Sequence, residues 1–493
     1  MRPFLQIICL LIICLLILAS GAEAKQQTFK VDNAEEVEAL IESGTLAAGD
    51  TILWADGNFN DVDLDIEGVD GTEDQPILLR SATPGAVVLS GESQFKIGAK
   101  WWVIQGFHFN GSPSSFNGYN TFQFRSNSGN PSQHVRLTDC AFTNLTTEDE
   151  TSKWILLYGQ SNSIDHCHFS GKNKKGALII VELGYLDDDE TAGHLISNNY
   201  FGDVAFQQGS DNETIRIGSS ADQNKRAQCV VRENLFVRCN GENEIISSKS
   251  SYNVFEKNTF RQCNGALVLR HGHHAHVEGN FFFGDGANNS GGIRVVDSHH
   301  TIINNYLYDL TGLTWNAAFS IVGGSQKSGE TTNGYQAVDD IFVAHNSIIH
   351  CKTSFFLNKK KGSRGPTGTI ANNLIVSSGD PLITGGLPIV GLAWMGNLLH
   401  GGKVSVDLKA ISDDPKLSMI DGLLRPDPKG PAANAAVQCG GKVVKDIDRQ
   451  MRPESNKDIG ADEVSGAIGT ISSTPLIPTD VGVSYLNGDM PKE

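Results

Sequence analysis

Apolar and polar residues alternate over short stretches along most of this chain. In "VRLTDCAF" (Val135–Phe142) and "NVFEKNTF" (Asn253–Phe260) apolar residues alternate with polar ones over four to six positions, a period of two that predicts strands and not helices. Such stretches close on a recurring signature, a polar residue, any residue, then a large apolar one. It occurs as "DCAF" at Cys140, "HCHF" at Cys167, "NNYF" at Asn199, "ENLF" at Asn234 and "KNTF" at Asn258. It continues as "GNFF" at Asn280, "NNYL" at Asn305, "HNSI" at Asn346, "NNLI" at Asn373 and "GNLL" at Asn397. Successive gaps are 27, 32, 35, 24, 22, 25, 41, 27 and 24 residues. The short gaps define a unit of 22–27 residues, and the long ones fit the same unit carrying a loop. A repeat of this size means a stacked architecture. A leucine-rich horseshoe needs a Leu ladder that is missing, and a large sandwich or propeller needs the spacing to be fortuitous. The pattern fits an all-β solenoid, a parallel β-helix of two or three short strands per coil. Asn and Cys then stack at one inward turn and hydrogen-bond along the stack, as Asn ladders do in cross-β assemblies.

The ends of a solenoid need covering. "NAEEVEALIESG" (Asn33–Gly44) predicts a short capping helix, with Asn33 as N-cap, acids in the first turn, Val37, Leu40 and Ile41 on one face and Gly44 as the stop. Residues 25–400 are expected to form the β-helix and 401–493 its irregular terminal coils. Before it, Arg2, the apolar run Ile7–Leu18 and "AEA" (Ala22–Ala24) have the form of an export signal over residues 1–24. The expectation is a secreted or periplasmic protein with no membrane span once the signal is removed.

Composition narrows the partners. A formal charge of −17 and a pI near 5.3 argue against a nucleic-acid binder, because phosphate contacts need clustered Lys and Arg. An anionic substrate remains compatible, since a basic groove can sit on an acidic protein. Nine cysteines less Cys9 and Cys14 leave seven after the signal. They are expected to be buried structural thiols with at most one disulfide.

The unusual polar residues fall one repeat apart, in "SDNETIRIG" (Ser210–Gly218), "NGENEIISSKSS" (Asn240–Ser251), "LVLRHGHH" (Leu267–His274) and "GGIRVVDSHH" (Gly291–His300). Coils stack at about 4.8 Å. Lys249, Arg270 and Arg294 are 21 and 24 residues apart, which predicts a basic column on one face. Glu242 and Glu244 share strand parity and, with an amide oxygen from the neighbouring coil, suit Ca²⁺. Lys249 has the opposite parity, so the strand must turn or bulge near Ser247–Ser248 if all three serve one site. The stretch "LVLRHGHHAHVEGN" also carries His271, His273, His274 and His276. Zinc needs ligands converging on one point, whereas adjacent His273 and His274 diverge on a strand. Arg270 and His271 are expected in the cleft, with the other three along the groove or its rim.

"ENEIISSKSSYNVFEKNTF…LVLRHG" resembles the signature of polysaccharide lyase family 6, the alginate lyase and chondroitinase B group. "GDTILWADGNFNDVDL", "GTEDQPILLRSATPGAVVLSG" and "WWVIQGFHFNG" are similar to that family's opening coils. The resemblance covers Asp50 to Asn305 and implies a right-handed parallel β-helix that cleaves a 4-linked uronate polymer by β-elimination. By resemblance, Lys249 is the base that removes the C5 proton and Arg270 stands beside the leaving O4. Glu242 and Glu244 hold a Ca²⁺ that neutralises the substrate carboxylate. The family's third ligand is an Asn in an "NGG" loop before "IRIG"; here the loop reads "SDN" followed by Glu213, and Asn212 is the corresponding candidate, with Asp211 behind it. His271 and Arg294 are expected to bind substrate. A lysine works as a base only after losing its proton, which a nearby guanidinium and dication favour. An arginine holds its proton too firmly to donate it, so Arg270 is expected to stabilise the leaving oxygen while water or His271 supplies the proton. Alginate is the expected substrate, with dermatan sulfate as the sibling reading. A non-catalytic glycan-binding β-helix would not need Lys249 and Arg270 one coil apart. A glycosidase would need carboxylates flanking the cut bond.

Overall fold

Each repeat folds as a coil of three short strands. In the first full coil Thr51–Trp54, Gly57–Asn60 and Asp63–Ile66 follow one another, and each pairs in parallel with its counterpart one coil on. Three long parallel sheets result, of 14, 13 and 13 strands, wound as a right-handed parallel β-helix. The structure, a computed structural model, describes residues 26–486 except 112–119, 146–150, 188, 378–380, 405–407, 409, 441–442 and 465–473. The expected signal segment, 1–24, lies outside the described residues.

The repeated signature builds the interior twice over. Its last apolar residue points inward, and Phe109, Phe142, Phe169, Phe201, Phe236, Phe260 and Phe282 form one stack with ring centroids 4.6–5.1 Å apart. Its Asn forms the expected ladder. From Asn199 through Asn234, Asn258, Asn280, Asn305, Asn346 and Asn373 to Asn397, each side-chain N–H donates to the next Oδ1 at 2.9–3.0 Å. Cys167 lies one rung before, donating its backbone N–H to Asn199 Oδ1. Asparagine suits this turn because its amide both accepts from the previous rung and donates to the next. Asn280→Ala strands the Asn258 N–H, leaves Asn258 Nδ2 with the Val231 carbonyl alone and takes a donor from the Phe255 carbonyl. With three buried polar groups each deprived of a partner, it is expected to cost about 3–5 kcal/mol, measured as a lowered denaturant midpoint. Asn280→Leu does not rescue it.

The cap is a helix at Ala34–Glu42. Asn33 accepts from the Glu36 N–H at 2.9 Å, and the buried Val37 faces the first coils. Asn397 lies near the last regular coil. Beyond it the chain makes a hairpin, Ser418–Ile420 with Leu423–Arg425, and then runs back over the outer face of one 13-stranded sheet. Leu423, Ile447 and Ala461 cover Phe281, Phe283 and Tyr306 there, while Val481 reaches Tyr200 and Leu235. Tyr485 donates its hydroxyl to Asp139 O at 3.2 Å. The trailing segment is therefore a second covering layer, pinned by buried ion pairs of Arg425 with Asp448 and Asp462 and of Arg452 with Glu463. Cys140, Cys167, Cys229, Cys239, Cys263 and Cys351 are buried thiols.

Candidate active site

The second 13-stranded sheet carries the site. Its strands Ile215–Ile217, Glu244–Lys249, Ala266–His271 and Ile293–Val295 stack in that order. Ile246, Leu267 and Ile293 align inward, and Arg216, Ser247, Val268 and Arg294 align outward. The strand Glu244–Lys249 slips register twice against its neighbour, between Glu244 and Ile246 and between Ser248 and Lys249. This supplies the bulge that strand parity required, and it brings Lys249 to the same cleft as the glutamates. A second consequence corrects the expected column. Lys249 pairs with His271, Arg270 is the extra residue of the bulge, and Arg294 aligns with Val268 and Ser247. Gly272 follows because only glycine fits: its φ is +82°, and a Cβ would lie 2.4 Å from the Ser250 carbonyl.

Three carboxylates, Glu213, Glu242 and Glu244, lie near Lys249, close enough for their charges to act on one another. Lys249 Nζ lies 3.3 Å from Glu213 Oε1. Glu213 is buried, its Oε2 has no hydrogen-bond partner, and desolvation raises its pKa. Glu242 is pushed up to about 8, first by burial and then by the charge of Glu213. Glu244 accepts from Ser247 Oγ at 2.5 Å and from Arg294 at 3.2 Å. Asn212 is placed otherwise than the sequence implied. Its Oδ1 accepts from the Gly176 N–H and its Nδ2 faces the carbonyls of Gly209 and Ser210. It is the Asn212 backbone N–H that meets Glu242, at 2.8 Å. Glu213 is thus the third acid of the pocket. Its proximity in sequence to the departed "SDN" loop was the available signal. Hard oxygens, mutual repulsion and an orphaned buried oxygen are what a dication site requires. Among the described residues Asp446, Asp448 and Asp462 are the acidic group whose oxygens converge as they stand, and Arg425 pairs with two of the three.

Arg294 does not face the groove. It is 4% exposed and donates to Glu244, to the Trp315 carbonyl and to Asn316 Oδ1. Its position supports Glu244 and not a substrate carboxylate, which corrects the expected contact. Arg270 is half-buried and anchored from outside the coil. Its guanidinium donates to the carbonyls of Gly334 at 2.9 Å and Asn333 at 3.1 Å, and lies 4.1 Å over the Tyr335 ring. These residues belong to the insertion that makes the gap between Asn305 and Asn346 long. Lys361, from the basic stretch Asn358–Gly365, lies 5.2 Å over the same ring.

His271 is 1% exposed, and burial with the neighbouring Arg270 pushes its pKa down to about 4. His274 and His276 lie further along the coil. His274 stacks between Tyr252 and His299 on the turn into the 14-stranded sheet, and His276 lies in that sheet, bonded to Glu278 at 2.8 Å. His276 thus lies on a different sheet from Lys249 and Arg270, and His274 on the turn that leads to it.

A model of the Chondroitinase B family matches residues 31–381. The structure is similar to the PL6 family alginate lyase AlyGC, with a TM-score of 0.78 and 29% identity over 93% of this chain and 58% of that one. It is also similar to a mannuronic acid specific polysaccharide family 6 lyase from human gut microbiota, with a TM-score of 0.64 and 25% identity over 78% of this chain and 89% of that one. The alginate lyase AlyF-OU02, in complex with G6, shares the fold at 23% identity and a TM-score of 0.67, over 83% of this chain and 93% of that one. This chain spans 58% of the length of AlyGC. No curated protein matches it in sequence.

Proposed function

Because this chain belongs to the chondroitinase B family, polysaccharide lyase family 6, we propose that it is an exported lyase that cleaves alginate by β-elimination. The observation that carries this reading is Lys249 and Arg270 at one bulge, beside a pocket of three glutamates. Lys249 Nζ, once it has given up its own proton, removes the C5 proton of a uronate residue. The freed electron pair forms the C4=C5 bond, the C4–O4 bond breaks, and O4 leaves with a proton from water. Arg270, held by two carbonyls and an aromatic face, stabilises the charge that builds on O4. Its fixed fork serves as an electrostatic donor and not as an acid.

Glu213, Glu242 and Glu244 are the residues that would hold Ca²⁺. A bound dication would neutralise the uronate carboxylate and so make the C5 proton removable. Asn212 contributes through its main chain, which orients Glu242. Arg294 acts by fixing Glu244. A polymer of this size cannot enter a cell intact, which supports export by the segment 1–24. Among the described residues no helix is long and apolar enough to cross a membrane.

Alginate is favoured over dermatan sulfate because the relatives at 25% identity or more are named as alginate lyase and as mannuronic acid specific. The test is the ultraviolet absorbance of the new C4=C5 bond, with purified chain on alginate, on mannuronate and guluronate blocks, and on dermatan sulfate. A rise on alginate is expected. No rise on any of them sinks the lyase reading, and a rise on dermatan sulfate alone replaces the substrate.

A further inference from the structure

Glu242 and Asn243 precede the strand Glu244–Lys249, and the register slips directly after Glu244. The strand ladder therefore does not orient this turn, and side-chain contacts must. Asn316, which is 1% exposed, makes them from a distance. The strands that follow Asn243 and Asn316 in the sheet are separated by two others, Ala266–His271 and Ile293–Val295. Yet Asn316 Nδ2 lies 3.2 Å from Asn243 Oδ1. Two glycines before the intervening strands, Gly265 and Gly291, leave the path open. A Cβ at Gly291 would lie 3.1 Å from Asn316 Cβ and 2.6 Å from the Gly265 carbonyl.

The Asn316 amide has one orientation. Arg294 Nη2 can only donate, and it faces Asn316 Oδ1 at 3.1 Å. The Asn289 carbonyl can only accept, and it faces Asn316 Nδ2 at 3.2 Å. Nδ2 therefore donates to Asn243 Oδ1 as well, where Asn289 Nδ2 adds a longer contact at 3.4 Å. On the oxygen side, Asn316 holds Arg294, whose Nη1 donates to Glu244 and whose Nε donates to the Trp315 carbonyl. One buried amide thus reaches Asn243 directly and Glu244 through a guanidinium.

We infer that Asn316 is a positioning residue for the glutamate pocket: it clamps Asn243, the residue between the two glutamates, and holds Arg294 against Glu244. It acts through Asn243 and Arg294. The inference rests on the reading of Glu213, Glu242 and Glu244 as a Ca²⁺ pocket, and not on the identity of the polymer. It also gives the short helical turn Thr314–Asn316 a role, since Trp315 and Asn316 together hold two of the three guanidinium nitrogens of Arg294.

Titration calorimetry of the full chain with calcium reads the clamp without any substrate. Residues that orient metal ligands commonly set affinity by about 10–100-fold, and Asn316→Ala is expected to weaken calcium binding by about tenfold or more. Asn243→Ala removes one arm of the clamp at an exposed position and is expected to weaken binding by a smaller factor. The two changes together weaken it no further than Asn316→Ala alone, because Asn316 has already released Asn243. A merely structural Asn316 lowers the unfolding midpoint of the metal-free chain and leaves the calcium affinity of the folded variant unchanged. Equal or tighter binding in Asn316→Ala overturns the inference. Should that variant fail to fold, Asn243→Ala decides, and unchanged affinity there overturns it equally. No calcium uptake by the unaltered chain removes the metal pocket and the clamp together, whereas uptake indifferent to both variants removes the clamp alone.

Discussion

Lys249→Ala lowers kcat by about 10³-fold on the cleaved polymer and leaves KM within a few-fold. A positioned base contributes roughly 10²–10⁴-fold to proton abstraction, and Lys249 is the group proposed to take the C5 proton. Lys249→Arg does not restore the rate, because a guanidinium stays protonated at any pH the protein survives. The variant has a second effect that must be separated. Lys249 is the ion-pair partner of the buried Glu213, at 3.3 Å, and removing one member of such a pair leaves an uncompensated charge. Glu213→Gln added to Lys249→Ala is therefore expected to recover thermal stability and not activity. Full activity in either lysine variant sinks the base assignment. Recovery of activity with stability would make Lys249 a structural residue.

Calcium raises the thermal midpoint of the unaltered chain, and chelation lowers it together with the cleavage rate. A ligand at a hundred times its dissociation constant stabilises the folded state by about 2.7 kcal/mol. The geometry says where: Glu213, Glu242 and Glu244 repel one another, and Glu213 Oε2 has no partner. Glu242→Gln removes one of the repelling charges and a ligand. It is expected to stabilise the metal-free chain, abolish the response to calcium and lower kcat/KM by about 10²-fold on the scale of a lost electrostatic contact in a transition state. Calorimetry with calcium, magnesium or a chelator reads the first two effects without reference to activity. No shift with either cation, together with a rate indifferent to chelator, removes the dication from the proposal. Asp446, Asp448 and Asp462 serve as the control, since Arg425 already pairs with Asp448 and Asp462.

Much of this architecture was legible in the chain. The Asn of each signature announced a ladder, and Asn199 to Asn397 form it because one side chain can accept from the rung before and donate to the rung after. Asn33, Glu36 and Val37 announced the capping helix, whose capping bond is local. Glu242, Glu244, Lys249 and Arg270 were expected near one another because a repeat of one coil turns sequence distance into spatial adjacency, and Lys249 and Arg270 do stand at one bulge. The failures share one feature. Asn212 and Glu213 are neighbours, and adjacent side chains diverge: Asn212 bonds within its own loop and to Gly176 while Glu213 reaches Lys249. Arg294 has the spacing of a groove residue, yet Trp315, Asn316 and Glu244 bury it.

The repeat by itself determined the fold, the number of short strands per coil within narrow bounds, the inward Phe and Asn positions and the coils that bear the candidate site. These depend on alternation and period, which are local properties of the chain. Only the tertiary structure decided which side chains share the cleft. One extra residue at the bulge gives Lys249 a partner in His271 and sets Arg270 apart. The carbonyls that hold Arg270 come from 63 and 64 residues away, as does the Gln336 amide, 65 residues from His271. The path of an insertion is set by the contacts it finds on the surface it crosses, and no periodicity within it records them.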